Sequence, residues 1–328
     1  MSRVELLAMP KSKIIVCIPA RYGSTRFRGK VLAKDTGKFL IQHVYEQACL
    51  AKLPDRVIIA ADDKRIADAA KSFGADCIMT SPDCASGTDR IAEAIKKLED
   101  RGLRTEDGKQ KTEDGRQRTE KKRYYPLNAD DIIINLQADE PEIDPANIDA
   151  VAKLLLEDQK SRPHALLRKA KQWGAKIKNQ NYGMATLVAE FDNESQIADP
   201  NIVKVIACSV QRTADSKKLK TQNSTLKTDC GIAIYFSRSV IPYNREQGGI
   251  GEKSHYLRHL GIYSYRKDFL LKITKLPQTP LEKIEKLEQL RAIENGFGIL
   301  IAKVKHTCNG IDTPEQYAEF VKRYSHRE

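Results

Sequence analysis

Along the chain, apolar runs short enough for strands alternate with stretches whose apolar positions recur at helical spacing. Lys13 to Pro19, with Ile-Ile-Val-Cys-Ile at its centre, is a continuous apolar run of the kind a buried parallel strand requires. Helical periodicity follows across Phe39 to Leu53. Arg56 to Ala61 predicts a second strand, and Arg65 to Phe73 a helix stopped by Gly74. Cys77 to Met79 predicts a short strand, Ser86 to Leu98 a helix, and Asp131 to Gln137 another buried strand. This order predicts an α/β fold with a parallel sheet covered by helices, and such sheets bind ligands beyond the carboxyl ends of their strands.

The second half reads as more mixed. Met184 to Glu190, Ile232 to Phe236, His259 to Tyr265 and Ile299 to Val304 predict strands. Pro280 to Asn295 predicts one strong helix, with Thr279 as cap, Pro280 at the first position, Glu282 completing a capping box and Gly296 as the stop. A last helix starts at Thr313-Pro314, with Gln316 closing another box. The expected architecture is one mixed-sheet α/β domain over residues 13–325, after an N-terminal extension of 1–12. The later hairpins form a smaller β-rich lobe over its ligand edge.

Composition changes this picture in one respect. The chain has 328 residues and a net charge of +12, a balance that by itself points toward nucleic acid. Most of that charge sits in three segments without core patterning, at about 100–126, 158–180 and 211–228, with nets of +3, +6 and +4. The first contains a short echo, Thr105-Glu-Asp-Gly and Thr112-Glu-Asp-Gly, and reads as a low-complexity insert. A short basic helix around Leu166 to Trp173 fits the second, and a long hairpin loop the third. Solvated loops or a weak site for an acidic partner both fit these segments, and no aromatic interleaving marks base stacking, so nucleic acid is an unlikely partner. No apolar run approaches 18 residues, which argues against a membrane span. The seven cysteines include no Cys-x-x-Cys pair, which fits a reducing cytoplasm better than a disulfide framework or a zinc site.

Candidate chemistry begins after the first strand, at Pro19-Ala-Arg-Tyr-Gly-Ser-Thr-Arg-Phe-Arg-Gly-Lys30. Four cations within ten residues, two glycines and two hydroxyls suit a triphosphate. The spacing is neither a Walker loop nor a dinucleotide fingerprint, because five residues separate Gly23 from Gly29-Lys30 and Val31 follows. A basic turn shaped by its glycines is the alternative.

The strand ending in Asn135-Leu-Gln-Ala-Asp-Glu-Pro141 delivers Gln137, Asp139 and Glu140 to the ligand edge, where a carboxylate can hold Mg²⁺ shared with phosphates. An acidic turn capping the next helix is the alternative, although Asp144-Pro145 already supplies that helix with a cap and first residue. Asp312, just before Thr313-Pro314, is a second available carboxylate or a solvated residue before a cap.

On the predicted helix 280–295, a 100° step places Leu281, Ile284 and Leu287 on one arc, with Glu288 and Arg291 among them. Either these two form an i,i+3 ion pair, or Glu288 or Gln289 meets a polyhydroxylated substrate. His255 and His259 have metal-pair spacing but lack the following glutamate of a zinc-protease motif. One of them donating to a substrate oxygen and a purely structural histidine both remain open.

Taken together, these motifs resemble the 3-deoxy-manno-octulosonate cytidylyltransferase family, the CMP-Kdo synthetases of lipopolysaccharide assembly. The matching stretches are Ile18 to Arg26, Ser86-Gly-Thr-Asp-Arg90, Gln137 to Pro141, Gly183 to Thr186, Asn201 to Val205, Tyr235 to Arg238, Ile241-Pro242, Leu257 to Tyr263, Pro280 to Arg291 and Ile311 to Glu315. They occur in the family's order, and the basic segments fall between them. The resemblance implies a Rossmann-like, glycosyltransferase-A-like nucleotidyltransferase fold, a cytoplasmic homodimer, and the reaction of CTP with Kdo to CMP-Kdo and pyrophosphate with Mg²⁺. Carried onto matching positions, it implies that Arg21, Ser24 and Lys30 hold the triphosphate and that Asp139 and Asp312 hold Mg²⁺. It places Ser86, Thr88 and Arg90 at the cytidine pocket. Gln137, Arg238, His259, Tyr263, Glu288 and Gln289 would line the Kdo site, with Arg238 suited to the sugar carboxylate.

Three departures mark this chain. Phe27-Arg28 replaces the usual Leu-Pro, which loosens the loop and adds a cation. Ala138 stands for glycine, and Tyr243 for a common tryptophan. An amino-Kdo or sialic-acid cytidylyltransferase is the neighbouring alternative, and the Tyr22–Arg26 loop fits the Kdo branch better than the sialate branch.

Overall fold

The computed structural model describes residues 12–23, 26–103, 126–160, 182–209, 230–307 and 310–325. The helix expected around Leu166 to Trp173 and the body of each basic insert lie outside the described residues, as does Ser24.

Strands β1 (Ile14–Ala20), β2 (Arg56–Ala61), β3 (Asp76–Met79) and β4 (Ile132–Asn135) are parallel, in the order β3-β2-β1-β4. Helices α1 (Leu40–Leu50), α2 (Lys64–Ser72), α3 (Gly87–Leu103) and α4 (Pro145–Lys160) connect or follow them. Both faces of β1 are apolar because both are covered. Ile14, Val16 and Ile18 pack in one core cluster with residues of α1 and α4, and Ile15 and Cys17 in a second with residues of α3. This is the continuous apolar signature of a strand between two helical layers.

The second half contributes β5 (Met184–Ala189), β6 (Lys204–Ser209), β7 (Cys230–Ser237), β8 (Leu257–Arg266) and β9 (Ile299–Lys303). Strand β8 runs antiparallel to β4 and continues the sheet, giving nine strands in the order β3-β2-β1-β4-β8-β5-β9-β7-β6. Strand β6 pairs with β7 on one side and with Leu257 and Arg258 of β8 on the other. Thus β8, β5, β9, β7 and β6 close on themselves, and the β-rich lobe is an extension of the main sheet rather than a separate layer. The long hairpin loop expected for the third basic segment lies outside the described residues. Four short helices complete this half: α5 (Ser195–Ala198), α6 (Lys267–Ile273), α7 (Pro280–Glu285) and α8 (Leu290–Glu294). Helix α9 (Pro314–Ser325) ends the chain's described part.

The expected single helix over 280–295 is corrected to two. Lys286 takes the left-handed conformation (φ 55°, ψ 44°), the one positive φ among described non-glycine residues, and breaks the run between α7 and α8. Thr279 N–H donates to Glu282 and Gly296 (φ 78°) follows the second helix, so both predicted ends are present. Because the wheel is interrupted, Ile284 is 77% exposed rather than on a core arc. Glu288 and Arg291 are not an ion pair: Arg291 Nε donates to Glu282 at 2.9 Å, joining α8 to α7 across the break. Strand β6 and helix α6 carry no clear sequence signal and were not expected.

Candidate active site

Strand β1 runs into the cation-rich loop at the sheet's carboxyl edge. Two backbone hydrogen bonds set its shape, Gly29 N–H to Tyr22 O and Lys30 N–H to Phe27 O. Gly29 has φ 69°, and a β-carbon there would meet the Tyr22 ring at 3.1 Å, so glycine is required on two counts. In place of the usual Leu-Pro, the Phe27 ring packs on Tyr317 of α9, ring centroids 5.7 Å apart. Tyr22 N–H donates to Asp62, and the Arg65 guanidinium lies 3.5 Å from the Tyr22 ring centroid. Arg21, Arg26 and Arg28 are exposed, leaving their charge in solvent.

Lys30 instead turns inward. Its ammonium donates to Asp139 Oδ2 at 2.6 Å, Ile311 O at 2.8 Å and Asp312 Oδ1 at 3.0 Å. Arg26 reaches the other oxygen of Asp312 at 3.1 Å. Two carboxylates 173 positions apart therefore converge on one nitrogen. The backbone enforces this, because Ile311 N–H donates to Asp139 O at 2.8 Å and stitches the loop before α9 onto the turn after β4. The start of α9 is served by Gln316, whose amide oxygen accepts both Asp312 N–H and Thr313 N–H, so the Asp312 carboxylate is free for the cluster. Asp144 likewise accepts Ala146 N–H at the start of α4, leaving Asp139 uninvolved in capping. A position that already draws a cation to two carboxylates and a carbonyl suits a divalent ion with a preference for oxygen, the remaining ligands coming from phosphate and water. Among the described residues no third acidic, histidine or cysteine side chain joins them. Ala138 is buried and not in the left-handed region, so alanine replaces glycine there without backbone strain.

These groups border a cavity of about 530 Å³. The expected residues Thr88, Gln137, Asp139, Arg238, His259, Tyr263, Glu288, Gln289 and Asp312 all line it. Arg21, Lys30, Ser86 and Arg90 do not, and Lys30 reaches it through the two aspartates. Arg90 is buried and gives its guanidinium to Thr80 Oγ1, Ser81 O and Asp62, the carboxylate that also holds Tyr22. Through Asp62 it is therefore linked to the loop after β1. Ser86 accepts Asp89 N–H as the cap of α3 and lies 3.0 Å from Glu288.

Strand β8 builds the opposite wall. Its pairing with β5 slips between Thr186 and Leu187, so Gly261 and Ile262 are bulged out. The Thr186 hydroxyl fills this irregularity, within 3.1 Å of Leu260 O and 2.7 Å of Ile262 O, and sits 3.1 Å from His259 Nε2. His259, Gly261, Tyr263 and Tyr265, at alternate positions, then face the cavity. Burial holds the His259 imidazole down at about 3, so the ring is neutral and can donate or accept one hydrogen bond. His255 lies in a separate 3₁₀ turn near Glu252, so no histidine pair forms. Burial likewise pushes the Tyr263 hydroxyl well up.

The broken helix supplies the third wall. Glu288 accepts hydrogen bonds from Ser86 and Thr88, at 3.0 and 2.9 Å. Burial pushes its carboxyl above the ordinary range, while those two hydroxyls pull the other way. Gln289 is buried at the cavity, and its Nε2 has no hydrogen-bond partner among the described residues. A buried orphan donor is costly unless an incoming acceptor meets it. The Arg238 guanidinium donates to Glu285 O and Pro200 O, two carbonyls that aim it without neutralising it.

Sequence reasoning missed several lining residues, Asn135, Arg258 and Lys286 among them. Asn135 could have been found, since it stands two residues before Gln137 and four before Asp139, where β4 runs into the acidic turn. Arg258 lies inside a matched stretch but gives no signal of facing a cavity. Lys286 reads as helix interior.

Residues 15–104 and 108–303 match the model of the cytidylyltransferase family. A 3-deoxy-manno-octulosonate cytidylyltransferase of Solibacter usitatus is 39% identical over 94% of this chain and 92% of its own length. An 8-amino-3,8-dideoxy-manno-octulosonate cytidylyltransferase of Shewanella frigidimarina is 38% identical over 92% and 95%. A solved CMP:2-keto-3-deoxy-manno-octonic acid synthetase, complexed with CTP, is 32% identical with a TM-score of 0.67, covering 97% of this chain and 100% of that one. With the carboxylate cluster, the adjoining cavity and matches that run almost end to end, this chain belongs to the cytidylyltransferase family, among its octulosonate-specific members.

Proposed function

We propose that the protein transfers the cytidylyl group of CTP to 3-deoxy-manno-octulosonate, giving CMP-Kdo and pyrophosphate. The carrying observation is the convergence of Asp139 and Asp312 on the Lys30 ammonium, beside a cavity with Arg238, His259, Glu288 and Gln289 on its other walls. A polyphosphate and an acidic polyol need these two kinds of surface next to each other.

The oxygen of the sugar's anomeric hydroxyl forms a bond to the α-phosphorus as the bond from that phosphorus to pyrophosphate breaks in line, and the hydroxyl proton passes to solvent. Arg21, Arg26 and Lys30 neutralise the triphosphate, with Ser24 as a further donor in the same loop. Asp139 and Asp312 would hold Mg²⁺, which when bound would spread the phosphate charge and lower the pKa of the attacking hydroxyl. Arg238 pairs with the sugar carboxylate. Neutral His259, Tyr263, Glu288, Gln137 and the orphan amide of Gln289 exchange hydrogen bonds with its hydroxyls. Ser86 and Thr88 shape the edge shared by cytidine and sugar, and Arg90 supports the loop through Asp62. No covalent intermediate is required, so rate comes from alignment and charge neutralisation.

The Shewanella relative supports a second reading, transfer to the 8-amino sugar. Pyrophosphate release with a panel of Kdo, 8-amino-Kdo and sialic acid, against CTP and UTP in turn, tests both. Turnover confined to CTP with Kdo is expected, and release with sialic acid alone overturns the assignment. We also propose a homodimer acting in the cytoplasm for lipopolysaccharide assembly, which the cysteine pattern and the family resemblance support.

A further inference from the structure

Lys204, at the start of β6, is fully buried. Its ammonium donates to two backbone carbonyls, Asp199 O at 2.9 Å and Ile202 O at 2.8 Å, and forms no salt bridge to a carboxylate among the described residues. A buried cation held by carbonyls alone is expensive to keep unless its geometry matters. Both carbonyls belong to one short loop, 199–203. The same loop holds two other functional groups: Pro200 O accepts from Arg238 Nη1 at 2.9 Å, and Val203 O accepts His259 N–H at 2.9 Å. Asn201, Ile202 and Val203 line the cavity themselves.

We propose that Lys204 is a positioning residue for the acid-sugar wall. It fixes the carbonyls of loop 199–203 so that Pro200 O aims the Arg238 guanidinium and Val203 O holds the entry of β8. The inference rests on the proposed role of Arg238 toward the sugar carboxylate. Lys204 is not among the residues that line the cavity, and among the described residues no hydrogen bond joins loop 199–203 to the cation-rich loop, so its effect is expected on one substrate only.

The test uses the full chain, with wild type, Lys204→Met, Arg238→Ala and the double variant, and reads KM for the acid sugar and for CTP from pyrophosphate release. Lys204→Met should raise the sugar KM roughly tenfold, within the range of coupling carried through packed contacts, and leave the CTP KM within about twofold. The double variant should fall well short of the product of the two effects, because the Pro200 arm acts through Arg238 itself. Lys204→Gln keeps a donor for the carbonyls and should recover most of the loss. It also carries the test if the Met variant does not fold. A sugar KM within about twofold of wild type, equal losses for both substrates, or multiplicative effects in the double variant would each overturn the inference. A wrong sugar assignment is seen separately, as absent wild-type turnover in the substrate panel. The comparison is then run with the sugar that does turn over.

Discussion

Around the cavity, the loop after β1 presents charges in water, whereas β8 and the α7–α8 break present polar groups withdrawn from it. Arg21, Arg26 and Arg28 are exposed, and even Lys30 reaches solvent-facing carboxylates. Opposite them, His259 is held neutral, Glu288 is pushed toward its protonated form, and Gln289 is buried with an unmet donor. On the proposed function, the difference follows from the two substrates. A triphosphate carries enough charge that solvated, adjustable cations bind it, and preserving their hydration avoids a desolvation cost when the site is empty. A sugar offers mostly neutral hydroxyls, so selectivity needs preset donors and acceptors whose loss of water has already occurred on folding.

This contrast can be broken at four points. The largest effect is expected for Asp139→Asn, which keeps the shape but removes a charge from the cluster. Turnover should fall about 100-fold or more with little change in thermal stability, and wild-type turnover with unchanged Mg²⁺ dependence would remove Asp139 from the metal site. Next, Arg238→Ala should raise the sugar KM roughly 30-fold with the CTP KM unchanged, since a carboxylate loses its charged partner. An unshifted sugar KM measured by pyrophosphate release would show that the two walls are not divided by substrate.

The third point is pH. With His259 held at about 3 in the fold and titrating near 6.5 when unfolded, the unfolded state binds more protons between those values. Stability should therefore be full above about 6.5 and decline as pH falls toward about 3, by at most about 1.4 kcal/mol per unit from this group. The stability gap between wild type and His259→Gln, followed by denaturant melts, should shrink across that window, and a constant gap would contradict a neutral ring. The smallest effect is expected for Ile284→Ser, within about 0.5 kcal/mol, because the helix break turns Ile284 to solvent. A core-sized loss in the same melts would restore the unbroken helix.

Which parts could be read beforehand depends on the range of the forces involved. The strands β1, β2 and β4 were legible because burial on both faces writes a continuous apolar run. The cation loop and the acidic turn were legible because each is a local concentration of charge at a strand end. Strand β6 was not, since only four apolar residues, Val205 to Cys208, lie between the polar ends Lys204 and Ser209, and the lysine is buried where a loop folds carbonyls around it. The partners of Glu288 were also out of reach. Glu-Lys-Ile-Glu-Lys-Leu-Glu-Gln is good helix sequence throughout, and nothing local marks Lys286 as the break.

The sequence alone therefore determined the alternating α/β order, the cation-rich loop and the two carboxylates, because each is encoded by neighbours within one turn or strand. Only the tertiary structure decided that Asp139 and Asp312 meet at Lys30, that Glu288 turns to Ser86 and Thr88, and that β6 closes the lobe on β8. Those outcomes depend on hydrogen bonds between residues one to three hundred positions apart, such as Ile311 N–H to Asp139 O. Their energies exist only once the chain has brought both ends together.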